Sequence, residues 1–446
     1  MSSTSAVPPV GAAAAGRTLP QRIAADIHLR ITTGVLQPGD RLPATRQLAT
    51  ELGVSRGSVV TAYEQLTGEG YLVTTPGGTR VDPVLPRPAV RAEPAPRPPV
   101  ATPAPTALRP GALDPSLVTS ALWRAAWRAA AANPRPHPPE GSEELRCLLA
   151  EHVRRTRRLA IDADRILVTA GARDGLRLVL SALPEPGEIG VEEPGYPSLR
   201  SVPRLLGWRA VPLAMDAEGV RPEALGPVRA ALVTPNHQFP GGGRMPAVRR
   251  HALLQAAGTT TLLIEDDFSA DLHEAPSPLL AARSDGPVAL LGSFSATLTP
   301  ALGLGWVVVP PGMVDEVAQR CVPVSGIVQD AMTRFIQGDG LRRHATRARR
   351  LERQRRAVFR EVFGDDRPTG GLHAVLPLRP GTDEDRVVQR ARAAGLGVEG
   401  LRSYWSVASP GCQAGIVLGL GSHSPDRLRE PLQTLRAVLG PALIGP

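Results

Sequence analysis

Leu52-Gly53-Val54-Ser55-Arg56-Gly57-Ser58-Val59-Val60-Thr61-Ala62-Tyr63 is the stretch that decides how the first part of this chain folds. A glycine at the end of an apolar-periodic run closes a helix, and Gly53 stands there. Ser55 begins the next helix, because its hydroxyl accepts from an N–H of the first turn. On this reading one short helix spans Ala44 to Leu52 and a second runs to about Gly68. Two short helices across a glycine turn make a helix-turn-helix, placed at about residues 45–64.

The flanks extend the pattern. Leu19 to about Thr33 reads as a helix with Ile23, Ile27, Leu29 and Ile31 as its apolar stripe, broken by Gln37-Pro38-Gly39-Asp40. Tyr71-Leu72-Val73-Thr74 and Thr79-Arg80-Val81 read as two short strands around Pro76-Gly77-Gly78, the shape of a wing. A recognition helix presents short polar and arginine side chains at its N-terminal end, where backbone N–H groups also favour phosphate. Ser55, Arg56, Gly57 and Ser58 meet that need. Arg56 is expected to reach a guanine edge and Arg46 to grip phosphate. Gly77 and Gly78 would let the wing backbone approach the minor groove. A helix-turn-helix alone also serves small domains that bind protein, so the shape by itself leaves both open.

The whole chain has 446 residues, more than one core usually holds, so two domains are expected. No apolar run approaches the roughly 18 residues of a membrane span, and the first residues lack the basic start and apolar stretch of a secretory signal. The expected place is the cytoplasm. Cys147, Cys321 and Cys412 have no pairing or metal-ligand spacing, so reduced packing residues and no metal site are expected. The net charge is +9, and all 51 basic residues are arginine. A basic balance favours a nucleic-acid partner without proving one.

Composition sets the domain plan. Residues 1–17 read as a disordered arm and 18–81 as the DNA-binding domain. Residues 82–107, rich in Pro, Ala and Arg, read as an extended linker before a domain over 108–446. In that domain helical stretches alternate with β-rich runs at 165–169, 230–233, 261–264 and 288–291, which implies an α/β fold with a mainly parallel sheet. Leu341 to Arg360 is dense in arginine with Glu352 the only acid. It reads as a solvated amphipathic helix, as does the run Arg154-Arg155-Thr156-Arg157-Arg158.

Residues 19–81 resemble the winged helix-turn-helix of the GntR family, through the opening stretch, through Gly34-Val35-Leu36-Gln37-Pro38-Gly39-Asp40-Arg41-Leu42-Pro43-Ala44-Thr45-Arg46, and through Leu66 and Gly70-Tyr71-Leu72. The resemblance implies DNA contacts from Arg41, Arg46, Ser55, Arg56, Gly57, Ser58, Thr61, Gly77 and Gly78.

From about Leu108 the chain resembles fold-type I aminotransferases, in the arrangement of MocR-type regulators, which fuse a GntR reader to such a domain. The carrying strings are Ile189-Gly190-Val191-Glu192-Glu193-Pro194-Gly195-Tyr196-Pro197, Val233-Thr234-Pro235-Asn236-His237-Gln238-Phe239-Pro240-Gly241-Gly242, Ile264-Glu265-Asp266-Asp267-Phe268 and Leu291-Gly292-Ser293-Phe294-Ser295-Ala296-Thr297-Leu298-Thr299-Pro300-Ala301-Leu302-Gly303-Leu304-Gly305. A smaller C-terminal α/β subdomain and a homodimer are implied as well.

Such a domain holds pyridoxal 5'-phosphate by a stacking aromatic, a carboxylate on the ring nitrogen, a phosphate cradle and a lysine. The resemblance assigns Tyr196 to stacking, Asp266 to the ring nitrogen, and the helix start at Ala172 and Arg173 with Ser293 and Ser295 to the cradle. It also exposes departures. Ala296 stands where the family has its lysine, Gly303 where it has a phosphate arginine, and Phe268 where it has a tyrosine. Arg173-Asp174 replaces a pair of glutamines, and Asp174 would repel a phosphate if it pointed inward. Transamination needs the lysine to hold the cofactor and to move the proton, so no turnover is expected. The expectation is a DNA-binding transcription regulator acting on promoter or operator DNA, with a degenerate cofactor pocket, no covalently bound cofactor and an opening for a small-molecule effector. Non-covalent binding of pyridoxal phosphate and a pyridoxal phosphate-dependent aminotransferase are the alternatives.

Overall fold

The computed structural model describes residues 18–86, 105–272, 287–364, 369–406 and 412–444. The arm expected at 1–17 and most of the expected linker lie outside them. The chain divides into two compact units, residues 1–102 and 103–446.

The first unit packs α1 (Leu19–Thr32), α2 (Thr45–Leu52) and α3 (Arg56–Gly68) beside a hairpin of β1 (Leu72–Thr75) and β2 (Gly78–Val81). The Gln21 side chain accepts the Thr18 N–H at 3.0 Å, so the start of α1 is held by its own first turn. Ile23, Ala24, Ile27 and Ile31 meet Val59, Ala62, Tyr63 and Leu66 in the core. Leu29, assigned above to the apolar stripe, is instead 58% exposed. It lies two residues from Ile27 and from Ile31, so the helical turn of 100° per residue carries it off the buried face. The strands are paired Leu72↔Val81 through Thr75↔Gly78, and Arg41 bridges Arg80 as a third, one-residue rung.

The second unit is built on a seven-stranded sheet. Its strands are β3 (Ile166–Thr169), β4 (Glu188–Glu192), β5 (Arg209–Leu213), β8 (Ala230–Val233), β9 (Leu262–Asp266), β10 (Val288–Ser293) and β11 (Gly305–Val308), in the order β3-β11-β10-β9-β8-β4-β5. A short hairpin, β6 (Met215–Asp216) with β7 (Gly219–Val220), follows β5. Within the sheet β4, β5, β8, β9 and β10 pair in parallel, and β11 runs antiparallel to both its neighbours. Strands β3, β8 and β9 are buried along their whole length, as strands of a sheet covered on both faces should be, even though β9 ends in Glu265 and Asp266.

Helices α4 (Ala121–Ala132), α5 (Glu143–Arg157), α6 (Ala172–Ser181), α7 (Pro197–Leu205), α8 (Ala247–Ala257), α9 (Val314–Ala318) and α10 (Gly326–Gln337) accompany this sheet. One apolar cluster joins α6 and α7 to it, and another joins α4, α5 and α10. The long α11 (Gly340–Phe363) then leads to a smaller antiparallel sheet of β12 (Thr369–Gly370), β13 (His373–Pro377), β14 (Glu399–Gly400) and β15 (Gly415–Gly419), ordered β12-β13-β15-β14. Helices α12 (Glu384–Ala393) and α13 (Pro425–Leu439) pack on it with Leu108 and Phe359 in a shared core.

Packing with this subdomain begins before Leu108, since the Ala107 carbonyl accepts the Gly397 N–H at 2.7 Å. Helix α11 is amphipathic as its pattern predicts, yet Arg355 is buried and donates to the His423 carbonyl at 2.8 Å. Cys147 is exposed, so it is no packing residue, whereas Cys321 packs against the core; all three cysteines are free.

Candidate functional site

In the reader, helical periodicity decides which side chains of α3 stay outside. Val59, Ala62, Tyr63 and Leu66 are buried, which leaves Arg56, Gly57, Thr61 and Glu64 on the exposed face. Ser55 accepts the Ser58 N–H at 3.2 Å, and the two hydroxyl oxygens stand 2.9 Å apart, so this pair holds the helix start. The Arg56 Nε reaches the Thr45 hydroxyl at 3.5 Å, which lays its guanidinium across the beginning of α2. Arg46 is exposed on the first turn of that helix. The Tyr63 hydroxyl donates to the Pro43 carbonyl at 2.9 Å and ties the recognition helix to the segment before α2; burial pushes this phenol up to about 12.

At the wing, a Cβ on Gly77 would stand 3.1 Å from the Arg41 guanidinium and 3.8 Å from that of Arg80. Two arginines therefore flank the hairpin tip. Arg80 escaped the sequence reading. Its signal was the alternation of β2, which turns residue 80 away from the buried Val81.

In the second unit, the assigned pocket residues lie just past the carboxyl ends of parallel strands, where ligands of α/β sheets bind. Tyr196 follows β4, Asp266 ends β9 with Phe268 two residues on, and Ser293 ends β10 with Ser295 and Ala296 beyond it; Phe239, not assigned to the pocket from sequence, follows β8. Register brings the cradle residues together: Ser293 pairs with Gly305, which pairs with Thr169, two residues before Gly171. A Cβ on Gly305 would lie 2.8 Å from the Gly171 Cα, so only glycine permits this approach. Helix α6 starts at Ala172, and its first N–H groups have no partner within the helix. Arg173 is exposed and donates to the Ser198 hydroxyl at 3.3 Å. Asp174 accepts from the Ala170 N–H at 3.0 Å and from Arg177 at 2.9 Å, so its charge is matched within its own helix.

The Asp266 carboxyl is 4% exposed, and its Oδ1 has no hydrogen-bond partner in the protein. Burial, with the charges of Asp267 and Glu192, raises it to about 8. Glu192 is itself raised to about 7 by burial, although the Thr234 N–H and hydroxyl both bond it. Tyr196, half exposed, has its phenol raised by burial and then by Asp266 and Glu399, with Arg173 opposing. Its ring meets Phe239 edge-on at 5.1 Å. Phe268 packs among the rings of His237 and Phe239 at 5.5 and 5.7 Å. His373 lies 4.4 Å from Phe239, and burial lowers its imidazole to about 4.

Ala296 is half-buried on a loop anchored by its neighbour. The Thr297 hydroxyl donates to Asp271 at 3.3 Å, and its carbonyl lies 2.7 Å from the His344 Nε2. Asp271 also bonds His152 at 3.0 Å and Arg157 at 3.2 Å, and Arg157 bonds Asp267. Burial raises the Asp271 carboxyl, but His152 and Arg157 outweigh it and hold it far below the usual range. Arg157 is therefore not the solvated residue its run suggested; it is buried between two aspartates. Gly303 sits on an exposed turn at φ +56°, with open space where a side chain would begin.

The chemistry fits a pyridine ring: Asp266 for its nitrogen, Tyr196 beside it, and the α6 start with Ser293 and Ser295 for an anionic group. It does not fit covalent attachment, because the chain contains no lysine amine. Among the described residues there is no His, Cys, Asp and Glu group suited to a metal, and no helix is long and apolar enough to cross a membrane.

Comparison with known proteins agrees with both units. The family described as bacterial regulatory proteins, gntR family, matches residues 19–81, and aminotransferase class I and II matches residues 123–375. The HTH-type pyridoxine biosynthesis transcriptional regulator PdxR of Corynebacterium glutamicum is 42% identical over 438 residues, covering 92% of this chain and 94% of that protein. The probable rhizopine catabolism regulatory protein MocR of Rhizobium meliloti is 28% identical and covers 92% of each. An archaeal alanine:glyoxylate aminotransferase superposes with a TM-score of 0.69 at 20% identity, over 76% of this chain and 91% of its own, which speaks for the fold alone. The chain belongs to the MocR-type HTH transcriptional regulators, a GntR reader joined to an aminotransferase-like domain of fold-type I.

Proposed function

We propose that this regulator acts in the cytoplasm as a homodimer on promoter DNA, and that its large domain serves dimerisation and effector sensing without transamination. Arg41, Arg46, Arg56, Thr61 and the wing at Gly77 and Gly78 make the DNA contacts, while Ser55, Gly57 and Ser58 let the start of α3 approach the duplex. GntR readers bind paired half-sites, which supports the dimer.

The absence of any lysine carries the reading of the large domain. A transaminase uses its lysine both to hold the cofactor and to shuttle a proton, so losing it removes turnover altogether. Gly303 and Phe268 add to this, since each replaces a polar partner of the cofactor in the resemblance. What is retained, above all the unpartnered Asp266 carboxyl, supports a ligand held without a covalent bond. The name of the Corynebacterium relative supports vitamin B6 supply as the signal.

Footprinting on the DNA flanking the protein's own gene, with and without pyridoxal phosphate, tests the reading. Protection of two half-sites is expected. No protection under any condition would overturn the DNA contacts assigned here, and amino-group transfer to a keto acid would overturn the non-enzymatic large domain.

A further inference from the structure

The unpartnered Asp266 oxygen points to the chemistry of the effector. Asp266 is 4% exposed, and its buried Oδ1 forfeits a hydrogen bond to water and gains none from the protein. The neighbouring carboxylates are matched: Glu192 is bonded by Thr234, Asp174 by Arg177, and Asp267 by Arg157 and Asn236. Of these four carboxylates only Asp266 keeps a buried oxygen with no partner, which leaves it open to a group from outside.

We propose that this pocket recognises a pyridine-type heterocycle by its ring nitrogen, with no covalent bond, and so accepts the aldehyde, alcohol and amine forms of vitamin B6 alike. This rests on the effector-sensing reading above. A ring nitrogen suits Asp266 because one proton serves both partners: either the acid donates to a neutral pyridine, or a pyridinium donates to the carboxylate. Burial raises the Asp266 carboxyl to about 8, so it is able to carry the shared proton near neutral pH. Tyr196, whose phenol feels the Asp266 charge, supplies aromatic surface and is itself met edge-on by Phe239. Selection for the aldehyde would need an amine to trap it, and neither the half-buried Ala296 nor any lysine offers one. Phe268, held among His237 and Phe239, likewise brings no hydroxyl.

Equilibrium dialysis of the full chain against pyridoxal, pyridoxine and pyridoxamine, each free and as the 5'-phosphate, tests this. A benzene analogue lacking the ring nitrogen serves as control. Within the free or the phosphorylated series, the three forms are expected to bind within roughly tenfold of one another. The analogue should fail to compete, and borohydride should trap no side-chain adduct. Asp266→Ala should weaken binding by roughly tenfold or more, whereas the isosteric Asp266→Asn, which keeps the packing and an N–H donor but no titrating proton, should weaken it less.

Binding of the aldehyde alone, unchanged affinity in both variants, or no binding of any form at millimolar concentration would each overturn the inference. Operator protection is measured on the same preparation. Loss of DNA binding with ligand binding intact would count against the proposed regulator and leave this inference standing.

Discussion

Asp266, the last residue of β9, and Asp267, the next, are adjacent buried acids, and their surroundings differ. Asp267 is bonded by Arg157 and by the Asn236 amide at 2.9 Å, whereas the Asp266 Oδ1 has no partner. Asp267 ties the end of the sheet to α5, and Asp266 leaves an oxygen unbonded.

The Asp266 side of that pair predicts a pH dependence. Its carboxyl titrates at about 8 in the fold and Glu192 at about 7, each well above the unfolded values, so the folded state holds the extra protons. Their contribution is fully present below the unfolded range near pH 4 and is lost as pH rises through 7 and 8. Each group tilts stability by at most about 1.4 kcal/mol per pH unit within its window. Thermal melts between pH 5 and 8.5 should show the midpoint falling, and Asp266→Asn should flatten the fall. Parallel curves for the two proteins would refute this.

Asp267→Ala should be costly for the opposite reason. It leaves the Arg157 guanidinium buried with only Asp271 for a partner, and breaking such a pair costs about 3–5 kcal/mol. Chemical denaturation measures the loss. A change below about 1 kcal/mol would show that the Asp271 contact suffices.

For the reader, Arg56→Ala should weaken binding to the specific site by about 1–3 kcal/mol and leave nonspecific binding nearly unchanged. Arg46→Ala should weaken both and reduce the slope of affinity against salt by about one. Competition gel shifts over a range of salt separate the two roles. The same behaviour in both variants would remove the distinction between base and phosphate contacts.

Ser55→Ala removes the acceptor for the Ser58 N–H and should cost the reader about 1 kcal/mol, while Ser55→Asp should keep the cap. A melt of the full chain that resolves the reader transition reads this directly. No shift in the alanine variant would mean that the hydroxyl does not carry the cap.

Ala296→Lys should create what the chain lacks: an amine on the loop anchored by Thr297, able to give a borohydride-reducible link with pyridoxal phosphate. Mass spectrometry of the reduced protein should find the adduct on residue 296. An adduct elsewhere, or none, would count against the position assigned to Ala296.

The reader was legible from local signals. Gly53, Ser55, Gly77 and the spacing of Val59, Ala62 and Leu66 each act within a few residues, so sequence determined its helices and turn to within a residue or two. The missing lysine was equally legible, because chemistry that needs a side-chain amine has none wherever the chain goes. Tertiary structure alone decided the rest. Arg157 and Arg355 look like neighbouring solvated arginines in sequence, yet aspartates and a carbonyl distant in the chain bury them. The unpartnered oxygen of Asp266 is likewise invisible in sequence, since a hydrogen bond that is not made depends on every neighbour the fold brings near. Local propensity sets where elements begin and end, but burial and pairing belong to residues that meet only once the sheet has closed around them.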